Sequence, residues 1–127
     1  MTKLTAIKKI IGEPLKKEGF VYAGHEEGEG WRFKRELKGV TQWLMIDKVG
    51  NFKELEISAG VTWEGGEGIE RSYGIWSFNE DKRQDDGRAA YFNGETFERA
   101  LRRLLQVAYD YFLPGLAEVS QDKYRIK

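Results

Sequence analysis

The stretch from Trp31 to Trp63, WRFKRELKGVTQWLMIDKVGNFKELEISAGVTW, contains two short glycine-bearing connections between β-prone runs, and together they dictate a pairing register. Lys38-Gly39 lies between Leu37 and Val40, and Gly50-Asn51 lies between Val49 and Phe52. Two-residue hairpin turns need a residue at positive φ, which glycine supplies without a Cβ clash. With both turns tight, counting sets Leu37 against Val40, Arg35 against Gln42, Phe33 against Leu44 and Trp31 against Ile46. The second hairpin is predicted to set Ile46 against Leu55, Leu44 against Ile57, Gln42 against Ala59 and Val40 against Val61. One face of this three-stranded antiparallel unit is then almost wholly apolar, and a slip of one residue would turn that face outward.

The opposite face carries Arg32, Lys34 and Glu36 on the first strand, Thr41, Trp43, Met45 and Asp47 on the second, and Glu54, Glu56, Ser58 and Gly60 on the third. It runs from basic through aromatic to acidic. The register puts Lys34 opposite Trp43, close enough for a cation over a ring, and Met45 between Arg32 and Glu56.

A chain of 127 residues is one domain, 1–127, and buries a core without covalent staples. Cysteine is absent, which excludes disulfides, zinc–thiolate sites and cysteine nucleophiles. The opening MTKLTAIKKIIGEP holds too short an apolar run for a signal peptide, and no stretch reaches the roughly 20 apolar residues of a membrane span, so a cytoplasmic protein is expected. Basic and acidic residues balance at 21 each, leaving no overall field to attract nucleic acid or an anionic membrane.

Around the central unit, Leu4, Ile7, Ile11 and Leu15 form a helical stripe that Thr2 or Thr5 can cap. Pro14 is expected to kink or break this helix near Gly12, and Gly19 to end it. Phe20 to Ala23 reads as a short strand followed by the loop GHEEGEG; a further strand of unfixed register falls within Ile69 to Phe78. NEDKRQDDGR reads as a charged loop with an Asp86-Gly87 turn. The apolar stripe of Phe97, Leu101, Leu104, Leu105, Ala108, Tyr111 and Phe112 predicts a helix from about Glu95 to Phe112, broken at Leu113-Pro114, with one more turn over Leu116 to Val119 and a frayed tail. The fold class is therefore α+β: an antiparallel sheet of four or five strands with the N-terminal and C-terminal helices packed on one face.

The succession LKKEGF, WRFKREL, VTQWLMIDKVGNF, LEISAGV and YFLPGLAEV resembles a family of small bacterial domains of unknown function. It departs where a lysine-serine pair often closes the central strand, since this chain has Asp47-Lys48-Val49-Gly50. The resemblance implies a bacterial cytosolic protein with helices on one side of an antiparallel sheet. With no established activity, that family supplies no catalytic residues.

Chemistry-bearing residues are sparse. His25, the only histidine, has Glu26, Glu27 and Glu29 beside it but neither a second ligand nor an orienting group, so a solvated loop is the expectation. The carboxylates Glu64, Glu67 and Glu70, and Glu80, Asp81, Asp85 and Asp86, lack the alternating spacing of a calcium loop. The glycine-rich GEGEG and EGGEG carry negative charge where a phosphate would sit and lack the lysine-serine ending of a phosphate loop. No catalytic residue, metal ligand or cofactor is expected.

Two surfaces remain. Arg35 and Gln42 are adjacent on the apolar face, and a buried guanidinium needs a partner: Glu13, Glu18 or Glu98 on a helix, or an anionic ligand in a pocket also lined by Arg71 and Tyr73. The outer face around Arg32, Lys34, Trp43, Met45 and Glu56 suits the C-terminal segment, a second copy in a homodimer, or another protein. Oppositely charged flanks favour the last, since they select orientation and partner. Nucleic acid is the weakest partner class because Glu54 and Glu56 adjoin the stacking position. The expectation is a non-catalytic protein-binding module, antitoxin-like or immunity-like; the alternative is a small anionic ligand binder or enzyme at Arg35 and Gln42.

Overall fold

The apolar alternation from Trp31 to Val61 closes over two helices. The computed structural model describes residues 2–26, 30–37, 39–50, 53–78 and 86–121. The N-terminal helix comprises α1 (Lys3–Ala6), a π-turn (Ile7–Gly12) and α2 (Glu13–Lys16). Six strands follow: β1 (Val21–Glu26), β2 (Gly30–Leu37), β3 (Val40–Lys48), β4 (Glu54–Trp63), β5 (Arg71–Tyr73) and β6 (Arg88–Ala90), with a single 3₁₀ turn (Ile75–Ser77) after β5. The C-terminal helix comprises α3 (Gly94–Val107), a π-turn (Ala108–Phe112) and α4 (Leu113–Gln121). The strand order is β1-β2-β3-β4-β5, all antiparallel, with β6 also pairing to β4, so among the described residues the sheet has six strands where four or five were expected. The added strand is β6, since β5 falls within the stretch Ile69 to Phe78 where a strand was expected; both are three residues long and pair at different heights on the same edge of β4, too short to leave an alternation in the sequence.

The first hairpin has the register that its turn dictates, from Leu37↔Val40 to Trp31↔Ile46, with Gly39 at φ 79°. The second does not. Val40 pairs with Trp63, Gln42 with Val61, Leu44 with Ala59 and Ile46 with Ile57, two residues beyond the expected partners. A tight Gly50-Asn51 turn would have closed on Val49 and Phe52; instead the Val49 N–H donates to the Glu54 carbonyl at 3.0 Å, which lengthens the loop. Gly50 has φ 56°, while Asn51 and Phe52 lie outside the described residues. Because the shift is even, every side chain keeps its face. The face therefore survives although the partners change.

Both helices cover the inner face. Ile7, Ile11 and Leu15 from the first, and Phe97, Leu101, Leu104, Val107, Phe112, Leu116 and Val119 from the second, belong to one core cluster with Phe33, Leu44, Leu55, Ile57 and Val61. Thr2 caps α1 by accepting from the Thr5 N–H, and Asn93 and Thr96 form a reciprocal capping box at α3. Neither proline breaks its helix. A proline lacks the N–H for the carbonyl four residues back, and its ring crowds that carbonyl. In both helices the ladder widens by one residue just before the proline: Glu13 N–H bonds the Lys8 carbonyl ahead of Pro14, and Leu113 N–H bonds the Ala108 carbonyl ahead of Pro114. The expected break at Leu113-Pro114 is thus a π-turn, and the helix runs on to bury Leu116 and Val119. Gly115 leaves room for the Phe78 ring, which also packs on Tyr73 and Phe112 at 5.4 Å each.

Strand β1 is longer than its sequence reading. It continues through the positive-φ Gly24 (111°) and His25 to Glu26, with an irregularity between Tyr22 and Gly24. Glu27 to Glu29 and residues 79–85 of the charged loop lie outside the described residues, as does the tail from 122.

Candidate functional site

Trp43 occupies the middle of the outer sheet face, in the row Val21, Lys34, Trp43, Gly60, Ser72 that the strand pairings define. Lys34 Nζ lies 5.8 Å from the Trp43 ring centroid, as the register requires. The indole N–H donates to Thr62 Oγ1 at 3.1 Å, and the Thr62 hydroxyl donates to the Gly68 carbonyl. Gly60 has no side chain, and a Cβ there would come within 2.6 Å of Ile69 Cγ2. The segment 64–70 therefore lies down over the β4 side of this face, and Trp43 is left half-buried between it and Lys34. Thr62 and Ile69 were not singled out from the sequence; the glycine inside a strand pattern was the available signal, since it marks close approach of another segment.

The other members of the predicted surface are placed differently from one another. Arg32 is half-buried between Gly24 and Met45 in register. Met45 is only 5% exposed although it faces away from the main core, and its cross-strand neighbours are Arg32 and Ser58, not Glu56. It serves as a floor to the surface. Glu56 pairs with Asp47 across one side and Arg88 across the other. Arg88 Nε donates to Glu56 Oε2 at 3.1 Å and its Nη1 lies 3.8 Å from Glu54 Oε1, so β6 offsets one of the two charges of the acidic flank. The hydrogen bond to Glu56 and the surrounding carboxylates push the Arg88 pKa up. Exposed acidic charge is also found in the segment over Gly60, at Glu64, Glu67 and Glu70.

On the inner face, Arg35, Gln42, Val61 and Arg71 form one row, and Phe33, Leu44, Ala59 and Tyr73 the next. Arg35 Nε donates to Gln42 Oε1 at 2.9 Å, and Gln42 Nε2 donates to the Leu116 carbonyl at 2.6 Å. A second Arg35 nitrogen donates to the Glu18 carbonyl at 2.9 Å, and the guanidinium lies 4.7 Å from the Phe20 ring centroid. Burial pulls the Arg35 pKa down, partly opposed by the Glu18 charge. The partner is thus the Glu18 backbone as well as its charge, and Gln42, 0% exposed, has both ends bonded. Tyr73 is buried with its hydroxyl unpartnered among the described residues, and the Arg71 guanidinium lies 5.6 Å from its ring centroid.

His25 sits in β1, exposed, its ring stacked on Trp31 at 5.2 Å. Asp86 accepts from the Arg88 N–H and lies 3.8 Å from Arg103; Glu70 accepts from the Trp63 N–H. Glu80, Asp81 and Asp85 lie outside the described residues. Among the described residues no helix is long and apolar enough to cross a membrane, and no three histidine or carboxylate side chains gather as a metal site. No family model matches the chain, and neither a curated protein nor a solved structure matches it.

Proposed function

We propose that the protein is a non-catalytic binding module that recognises another protein through the outer sheet face, in an antitoxin-like or immunity-like role in the bacterial cytosol. The observation that supports this most is the Lys34–Trp43 pair, half-exposed on a sheet face that no helix covers among the described residues. A rigid aromatic held by a hydrogen bond to Thr62 loses little conformational freedom on binding, which is the property of interface anchors. Arg32 and Lys34 on one side and Glu64 and Glu67 on the other would orient the partner. The test is capture from source-cell lysate with tagged wild type and with a Lys34→Glu, Trp43→Ala variant shown to be folded by circular dichroism. One near-stoichiometric protein held by wild type and lost by the variant is the expected result. Equal capture by both, or none by either, removes the reading, and self-association alone reassigns the face to a homodimer.

The Tyr73 hydroxyl beside Arg71, unpartnered among the described residues, is the one observation that favours an anionic ligand on the inner face. With Gln42 enclosed, such a ligand would rely on Arg71, Tyr73 and the outer nitrogens of Arg35. A ligand found by thermal-shift screening and lost on Tyr73→Phe would establish it.

A further inference from the structure

The two edges of the sheet are not alike. The β4 side ends in the three-residue strands β5 and β6, whereas the other side ends in the six-residue β1, with Val21 53% exposed. Short edge strands resist further pairing, while a longer edge presents a row of backbone donors and acceptors to any extended chain. β1 is flanked by two clefts of about 290 and about 300 Å³ that share Tyr22 as their common wall. The first is floored by Gly12 and Phe20 between Lys8 and Lys16, with Glu13 as its one acid; the second is walled by Leu4, His25 and Trp31 between Lys3 and Lys48. Lys8 Nζ lies 4.9 Å from the Tyr22 ring centroid, so a cation stands on the ridge as well. Alternate side chains of a strand recur about every 6.6 Å on one face, so a strand laid against β1 would drop neighbouring same-face residues on either side of Tyr22.

We propose that β1 is a docking edge for an extended acidic peptide, which adds as a further strand and sets alternate apolar side chains into the two clefts. Main-chain pairing supplies affinity and the clefts supply specificity. The four lysines against one glutamate select negative charge at the intervening positions. This goes beyond the outer-face reading and uses none of its residues, so each can fail alone.

The test uses the full chain and a fluorescein-labelled peptide of about eight residues, the length of a long strand, alternating leucine with glutamate. A leucine–lysine peptide of the same length is the comparison. The expected result is an anisotropy rise with the acidic peptide only, weakened about tenfold by Lys8→Glu with Lys16→Glu and unchanged by Arg99→Glu with Arg102→Glu on α3. Binding should also slow amide exchange from Val21 to His25. Absence of binding, equal binding of both peptides, or binding that leaves β1 exchange unaltered would overturn the proposal. So would self-association that protects β1 without peptide, since the occupant would then be a second copy.

Discussion

Gln42 joins three segments that are far apart in sequence: it accepts from Arg35 on β2, donates to Leu116 on α4, and through Arg35 reaches Glu18 behind α2. Gln42→Leu is close in volume but removes the donor to the Leu116 carbonyl in a buried place and the acceptor of the half-buried Arg35 Nε, so it should lower unfolding free energy by about 1–3 kcal/mol in urea titrations. Adding Arg35→Met should recover part of that loss, because removing both partners leaves fewer orphaned groups. Tyr73 behaves in the opposite sense. Its hydroxyl is buried without a partner among the described residues, so Tyr73→Phe should raise stability by about 1 kcal/mol near neutral pH. Burial raises the Tyr73 pKa, with the Arg71 charge pulling against it. A folded pKa above the unfolded value of about 10 means that the neutral phenol's stabilisation is full below that pH and is lost as pH rises through the folded value. The lead of Tyr73→Phe over wild type, measured by urea denaturation at stepped alkaline pH, should not shrink between neutrality and about 10, the ordinary phenol pKa. Loss of stability in this variant would mean that the hydroxyl has a partner.

At the scale of elements, the π-turns decide how the helices meet the sheet. Each holds one residue more per turn than an α-helix, so the apolar stripe after Pro114 stays in phase with the core that receives Leu116 and Val119. Deleting the exposed Asp110 should restore α-geometry and downstream phase, but it returns the Pro114 ring to the carbonyl four residues back, at a cost of about 3 kcal/mol. Deletion combined with Pro114→Ala should regain most of that stability in thermal denaturation, and failure to do so would separate the π-turn from the proline. The sequence could not reveal this turn, because a proline within an apolar stripe is equally compatible with a break. Strand faces were legible because alternation has a period of two, and the Lys38-Gly39 hairpin was legible because its turn admits a single count. The second register was not: a two-residue shift preserves every face, and only the Val49–Glu54 closure distinguishes the alternatives. For the candidate site, the Lys34–Trp43 pair followed from the first hairpin, whereas the Arg88 clamp on Glu56 depended on the three-residue β6, which carries no pattern of its own.

Over the whole molecule the formal charge is zero, yet the charges are sorted. Lys3, Lys8, Lys16 and Lys48 line the β1 clefts, and Arg32 and Lys34 lie on the neighbouring strand. Arg88 pairs with both Glu54 and Glu56 and offsets one of their two charges, and among the described residues a further exposed acidic stretch, the segment bearing Glu64, Glu67 and Glu70, lies on the far side of Trp43. A neutral protein arranged this way is steered by orientation and not by bulk attraction, and its encounter rate should depend on salt even though its net charge would suggest otherwise. Once a partner is captured, the association rate should fall roughly tenfold between about 0.1 and about 1 M salt, as the screening length shrinks from about 10 to about 3 Å. Lys34→Glu should reproduce that fall at low salt. Trp43→Ala should instead speed dissociation and leave the salt dependence intact, because an aromatic anchor acts after contact, where short-range packing sets the lifetime of a complex. Surface plasmon resonance on these two variants separates steering from anchoring, and a salt-independent association rate would show that the charge sorting takes no part in recognition.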